Sequence, residues 1–323
     1  MTHAIRIHKP GGPEALVWDE IQVGAPGPGQ IRLRHTAVGL NFIDVYHRTG
    51  LYPLPLPLIL GTEGAGVVEA LGPGVTGLKQ GDRVAYAGVI GAYAEERLLQ
   101  ADRVVKIPAG ISDHQAAAMM LQGMTVRYLI REVYPVKAGD TILIHAAAGG
   151  VGLILCQWAR SLGATVIGTV SSEEKADLAR ANGCDHPILY TRDDFQKRVM
   201  EITEGKKLPV VYDSIGKDTF MQSLDCLRPR GLMVLFGQAS GPVPPIDINL
   251  LAQKGSLYLT RPTLGTFIAS AEDLKKTADD LFEVVAGGKV RISVNQTYPL
   301  EHAAQAHRDL EARKTTGSTV LTV

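Results

Sequence analysis

The segment TILIHAAAGGVGLILCQWA, Thr141 to Ala159, constrains this chain more than any other. An apolar run of strand length meets three alanines and a glycine-rich turn, then opens directly into a helical pattern. A strand, a small-residue turn and a helix in that order form the context of a dinucleotide site. Gly149 and Gly152 keep the G-x-x-G spacing, so a pyrophosphate can approach backbone N–H groups at a helix N-terminus, where the dipole favours negative charge. The usual first glycine is Ala147 here. Alone, such a turn is equally well plain packing; set in a strand–helix–strand unit it reads as a phosphate cradle.

The surrounding pattern supplies that unit. From Gly123 onward strands and helices alternate: a strand at 141–145, helix 151–162, strand 165–170, helix 172–182, strand 188–190 and helix 195–203. The series continues with a strand at 210–213, helix 219–227 and strands at 231–236 and 256–260. This is the signature of a doubly wound parallel sheet. The first hundred-odd residues read instead as short, glycine-punctuated β segments, including one at 97–107, which predict a mostly antiparallel barrel or sandwich. A long amphipathic helix at 271–286 and a closing segment ending at 318–323 look unlike further βαβ units and are expected to return to complete the first domain. With 323 residues, about two domains are expected. The expected fold is α/β, with one domain at 1–123 and 263–323 and an inserted Rossmann domain at 124–262.

The end of the second parallel strand decides between dinucleotides. An acidic residue there would bind a ribose 2′-hydroxyl and repel a 2′-phosphate. The chain carries Gly168-Thr169-Val170-Ser171-Ser172, with Lys175 one helical turn later. Hydroxyls and an ammonium suit a phosphate dianion, so NADPH is favoured over NADH. A second reading stays open beside it: Ser171 or Ser172 is a helix N-cap, and Glu173 and Glu174 complement the dipole.

Other chemistries find little support. Lys plus Arg and Asp plus Glu are both 33, which gives no electrostatic case for nucleic acid or an anionic membrane. The apolar stretch Leu51–Leu60 is short and proline-broken, and the N-terminus has no secretion-signal pattern, so a cytoplasmic protein is expected. Cys156, Cys184 and Cys226 are widely spaced and read as reduced, buried thiols. There is no CxxC, no H-x-x-x-H and no G-x-S-x-G, and lone histidines such as His35 and His145 read as packed or surface side chains.

The combination GGPEAL (11–16), GLNFIDVYHRTGLYP (39–53), GTEGAGVV (61–68), GDRVAY (81–86), HAAAGGVG (145–152), VVYDSIGKDTF (210–220) and QKGSLYLTRPTL (253–264) resembles the bacterial NADPH-dependent quinone oxidoreductases. These form part of the zeta-crystallin-like, zinc-free branch of the medium-chain dehydrogenase/reductase superfamily. The resemblance implies a GroES-like catalytic domain interrupted by the Rossmann domain, and a homodimer joined through the Rossmann domains. Asn41-Phe42-Ile43-Asp44 occupies the stretch where zinc relatives place a cysteine ligand, and Gly61-Thr62-Glu63 replaces their Gly-His-Glu.

Position by position, the resemblance places Asn41, Phe42, Tyr46 and Tyr52 around the nicotinamide and substrate, with Thr125 and Tyr128 nearby. Asn41, Tyr46 and Tyr52 would serve the reaction itself. Gly149, Gly150 and Val151 would hold the pyrophosphate, and Ser171, Lys175 and Tyr190 the 2′-phosphate. Ser214, Phe236, Gly237, Ser240, Arg261 and Arg313 would complete the cofactor groove. Phenols hold their protons tightly near neutral pH, so the tyrosines are expected to orient a quinone oxygen rather than act as obligatory acids. Two other functions remain open: an NADPH-dependent enone or enoyl-thioester reductase, and an RNA-binding or crystallin-like structural protein.

Overall fold

A computed structural model describes every residue from Met1 to Val323. The chain divides into two compact units, the first made of residues 1–124, 268–286 and 292–323 and the second of 125–267 with 287–291. The first unit opens with β1 (Thr2–Ile7), β2 (Val17–Ile21), β3 (Gln30–Leu40), α1 (Phe42–Thr49) and β4 (Leu58–Ile59). It continues through β5 (Glu63–Leu71), β6 (Arg83–Ala87), β7 (Glu96–Gln100), β8 (Val105–Lys106) and α2 (Asp113–Tyr128), inside which the chain passes to the second unit.

The second unit begins with β9 (Thr141–Ile144), α3 (Gly150–Ser161), β10 (Thr165–Val170), α4 (Glu173–Ala181), β11 (His186–Leu189) and α5 (Phe195–Ile202). It then runs β12 (Leu208–Asp213), α6 (Phe220–Asp225), β13 (Leu227–Leu235), α7 (Asn249–Gln253), β14 (Tyr258–Thr260) and α8 (Leu264–Phe267). The chain ends with α9 (Ala271–Ala286), β15 (Val294–Pro299), α10 (Ala303–Glu311) and β16 (Ser318–Thr322).

In the first unit a seven-stranded sheet has the order β15-β16-β3-β5-β6-β8, with β7 also paired to β3, and β2-β1-β4 form a smaller sheet. Strand β3 buries Ile31, Leu33, His35 and Ala37 on one face, the period of two that a half-buried strand requires. The last strand, β16, pairs antiparallel with it, Leu321 opposite Val38, so the carboxyl-terminal segment completes the amino-terminal sheet. The expected single strand at 97–107 is two strands separated by a 3-10 turn at Ala101–Arg103, because β7 pairs with β3 while β8 pairs with β6.

The second unit is a six-stranded parallel sheet of order β11-β10-β9-β12-β13-β14. Its central strands are apolar without alternation, Ile142–Ile144 and Val210–Tyr212 being fully buried, as a sheet covered on both faces demands. Strand order reverses between β9 and β12, which makes the carboxyl ends of these strands the switch point where α/β sheets take ligands. Residues 287–291 join this unit through Gln157, whose amide donates to the Arg291 carbonyl (3.1 Å) and accepts from its N–H (2.7 Å). All three cysteines are free and buried.

Candidate active site

The turn between β9 and α3 is built with no slack. Ala146 sits in the left-handed region at φ 55°, unusual for a residue with a Cβ. A Cβ added at Gly152 would lie 2.3 Å from the Ala146 carbonyl oxygen and 2.7 Å from the Ala147 backbone. Gly152 is therefore the residue that lets the helix start against its own strand. Gly149 is the N-cap of α3 and has no side chain to cap with, and the first turn contains no acid. The leading N–H groups of α3, including those of Gly150 and Val151, are thus left for an anion, and the local field favours one. Donor set and bare backbone together fit a pyrophosphate.

Ser171 and Tyr190 are brought together at the ends of neighbouring strands, the Tyr190 N–H donating to the Val170 carbonyl (3.2 Å). Lys175 lies in the first turn of α4, which Ser172 caps by accepting the Lys175 backbone N–H (3.3 Å). The capping reading of Ser172 is therefore realised, with Glu173 and Glu174 in the first turn, while the Ser171 side chain takes no part in the cap. Arg192, singled out by no pattern in the sequence, stands in the loop after β11 and pairs with Glu173 at 3.3 Å.

The other strand ends are tied by a buried carboxylate. Asp213 Oδ1 accepts the N–H groups of Ile215 (2.7 Å) and Gly216 (3.0 Å), and Oδ2 accepts the hydroxyl of Thr219 (2.7 Å). His145 bridges Thr169 (2.9 Å) and Ser223 (2.8 Å), and burial holds it neutral by lowering its pKa against the pull of Asp213. The Ser214 loop is packed back to back with Gly237, where a Cβ would lie 2.7 Å from the Ser214 carbonyl oxygen. Ser240 locks the same two loops, its hydroxyl donating to the Ile215 carbonyl (2.8 Å) and accepting the Asp218 N–H (3.1 Å). The Phe236 N–H donates to the Asp213 carbonyl (2.8 Å).

Tyr128 stacks on Phe267 with ring centroids 4.3 Å apart, and burial raises its phenol pKa against Arg261 and a hydrogen bond with Thr125. Thr125, Tyr128 and Arg261 therefore form one cluster in the second unit. Arg313 belongs to the first unit, at φ 58° just after α10.

In the first unit Asn41 caps α1, with its N–H donating to Asp44 Oδ2 (2.9 Å). Its side chain is 6% exposed and lies within a polar chain that also contains Glu63 and Gln122. Phe42, Tyr46 and Tyr52 form an aromatic group, with ring centroids 6.4 Å apart for Phe42–Tyr46 and 5.2 Å, edge to face, for Tyr46–Tyr52. The Tyr52 N–H donates to the Tyr46 carbonyl (3.1 Å), which fixes the loop after α1. Thr62 donates to Asp44 Oδ1 (3.1 Å), and no group of three or more His, Cys, Asp and Glu side chains is placed to hold a metal ion.

Comparison with known proteins bears on both units. Residues 27–109 match the alcohol dehydrogenase GroES-like domain, and residues 150–283 match the family described as zinc-binding dehydrogenase. Over 99% of both chains the protein is 55% identical to a quinone oxidoreductase of Pseudomonas aeruginosa and 50% identical to a 2-haloacrylate reductase of Burkholderia. The crystal structure of Escherichia coli quinone oxidoreductase complexed with NADPH superposes with a TM-score of 0.98 at 48% identity, covering 99% of this chain and all of that one. With a GroES-like unit, a Rossmann unit and full-length identity at this level, the chain belongs to the quinone oxidoreductase family of the medium-chain dehydrogenase/reductase superfamily.

Proposed function

We propose that the protein reduces quinones with NADPH, the second unit holding the cofactor and the first unit's Asn41, Tyr46 and Tyr52 facing the acceptor. The observation that carries this reading is the uncapped, acid-free start of α3 behind Gly152, with Lys175 in the first turn of α4 and Ser171 just after β10 as a donor set that suits a 2′-phosphate. Gly149, Gly150 and Val151 would hold the pyrophosphate, and Ser171, Lys175 and Tyr190 the 2′-phosphate. Ser214, Phe236, Gly237, Ser240 and Arg261, with Thr125, Tyr128, Phe42 and Arg313, would line the remainder. When bound, NADPH supplies a hydride from nicotinamide C4. The chain's own residues position the acceptor and offer hydrogen bonds to the oxygen on which negative charge develops.

Lys175→Ala is expected to weaken NADPH binding roughly ten- to hundredfold, the loss of one charge-assisted hydrogen bond, and to leave NADH binding unchanged. Parallel titrations of both cofactors check it; equal loss for NADPH and NADH would remove Lys175 from the 2′-phosphate site. A second reading, reduction of an activated carbon–carbon double bond, is favoured by the relative named 2-haloacrylate reductase. A higher kcat/KM for 2-haloacrylates or enones than for quinones would select it.

A homodimer is part of this proposal, supported by β14, the edge of the parallel sheet, where Tyr258 and Leu259 are 61% and 39% exposed. An exposed apolar edge strand offers unpaired backbone groups to a second copy. Sedimentation equilibrium is expected to give twice the 34.6 kDa chain mass, and Leu259→Lys to shift it towards one chain. A wild-type monomer at micromolar concentration would contradict this. No helix is long and apolar enough to cross a membrane. A cytoplasmic location is the further part of this proposal, supported by three free thiols.

A further inference from the structure

Four buried side chains of the first unit form a hydrogen-bonded row. Ser318 Oγ donates to Gln122 Oε1 (2.7 Å), Gln122 Nε2 to Asn41 Oδ1 (3.0 Å), and Asn41 Nδ2 to Glu63 Oε2 (2.8 Å). Glu63 Oε1 accepts the Leu121 N–H at 2.7 Å. Glu63 is fully buried and the other three are 2–7% exposed. Space for the carboxylate is reserved by Gly39, where a Cβ would lie 2.3 Å from both Glu63 Oε2 and the Ala117 carbonyl oxygen.

The direction of the row depends on what stands at its end. An ionised carboxylate only accepts, so the adjacent group of Asn41 must be its NH2. A protonated Glu63 donates from Oε2, and Asn41 must then turn its carbonyl oxygen to it. Gln122 turns in step, and Ser318 accepts from it while giving its one hydrogen to the Ala118 carbonyl, 3.0 Å away. Each link of the row is kept in either direction, and the Asp44 N–H, which the capping box turns toward the Asn41 side chain, keeps its bond to the Asn41 carbonyl (3.0 Å), so one proton selects between two bonded rows.

We propose that Glu63 is a positioning residue for quinone reduction, acting through the direction of the Asn41 and Gln122 amides and so deciding where Asn41 presents its remaining N–H and its remaining lone pair. This rests on the placement of Asn41 beside the acceptor. The neutral state of Glu63 is the faster one, because a buried negative charge close to the acceptor opposes the charge that develops on its oxygen. Burial pushes Glu63 up to about 8, with the Asp44 charge adding to it. The titratable groups around Glu63 are Asp44 from α1, pushed up to about 7, and the phenols of Tyr86 on β6 and Tyr93 ahead of β7, both raised by burial. The Asp44 carboxylate accepts the Asn41 backbone N–H.

The test is kcat for a small quinone at saturating NADPH, between about pH 6 and 9.5, for wild type and Glu63→Gln, with melting temperatures recorded. Wild type is expected to fall about tenfold as pH rises past 8, while Glu63→Gln matches it at low pH and stays level. A step that persists in the variant belongs to Asp44 and overturns the proposal, as does a folded variant that is slow at every pH. Should the variant fail to fold, side-chain amide NMR of ¹⁵N-labelled wild type decides. The Asn41 and Gln122 signals must titrate together near pH 8, and signals that do not move overturn the proposal. Absence of wild-type quinone turnover would instead strike the functional reading, which the NMR titration does not depend on.

Discussion

Gly152→Ala is expected to weaken NADPH binding about a hundredfold or more, a loss near 3 kcal/mol, and to lower the melting temperature of the second unit. The added methyl would stand 2.3 Å from the Ala146 carbonyl oxygen and 2.7 Å from the Ala147 Cα and carbonyl carbon. These are backbone atoms of the same turn, and Ala146 already occupies a strained conformation at φ 55°, so no flexible side chain can move aside. Relief must come from shifting the start of α3, which also displaces the N–H groups offered to the pyrophosphate. Gly149 is the contrast: a Cβ there meets only the Ala146 carbonyl oxygen, at 3.3 Å. Gly149→Ala should therefore bind NADPH within about tenfold of wild type. Calorimetric titration of the two variants measures the difference, and wild-type affinity in Gly152→Ala would show that this turn does not carry the cofactor.

Arg48→Ala is expected to cost about 2–4 kcal/mol of folding stability, because it removes a buried guanidinium and leaves the Gly11 carbonyl and His307 without their donor, while Glu311, 34% exposed, is left to water. The Arg48 side chain is 1% exposed and makes a two-pronged pair with Glu311 (2.9 and 2.8 Å). It also donates to the Gly11 carbonyl (3.1 Å) and to His307 Nδ1 (2.9 Å). That single guanidinium ties α1 to α10, and through His307 it reaches Tyr93, whose hydroxyl donates to Asp44 (3.1 Å). Burial first, then the Arg48 charge, lower His307 to about 3, so the folded state holds a neutral imidazole that the unfolded chain protonates below its ordinary pKa. Folding therefore loses stability as pH falls through 6.5 toward 3. Removing Arg48 lifts one of the two pressures on His307 and allows the folded state to bind that proton more readily. The loss in Arg48→Ala should accordingly be smaller at pH 5 than at pH 8, as urea unfolding at both values would measure. A pH-independent loss would mean that Arg48 acts by packing alone.

The turn between β9 and α3 was legible in the sequence because its signal is local: strand, small residues and helix are contiguous, and the glycine spacing reports directly on close backbone approach. The alternating run to Thr260 was legible for the same reason. The polar row in the first unit was not. Asn41, Glu63, Gln122 and Ser318 are far apart in the chain, each is ordinary in its own neighbourhood, and only the pairing of β16 with β3 and the packing of α2 bring them together. Asn41 itself was singled out through family resemblance, with no local pattern to mark it. Asp213 carries a local signal in the sequence, an acid closing the apolar run VVYD just before a glycine turn. His145 was placed only as a packed or surface residue; the structure gives it partners on three different segments, which no single-sequence periodicity can report.

The most direct measurement of the central claim is initial-rate oxidation of NADPH and of NADH by purified protein with a small quinone, each with and without the quinone. The account predicts quinone-dependent oxidation with kcat/KM for NADPH well above that for NADH. Equal use of the two cofactors, or NADPH oxidation no faster with quinone than without it, would contradict it.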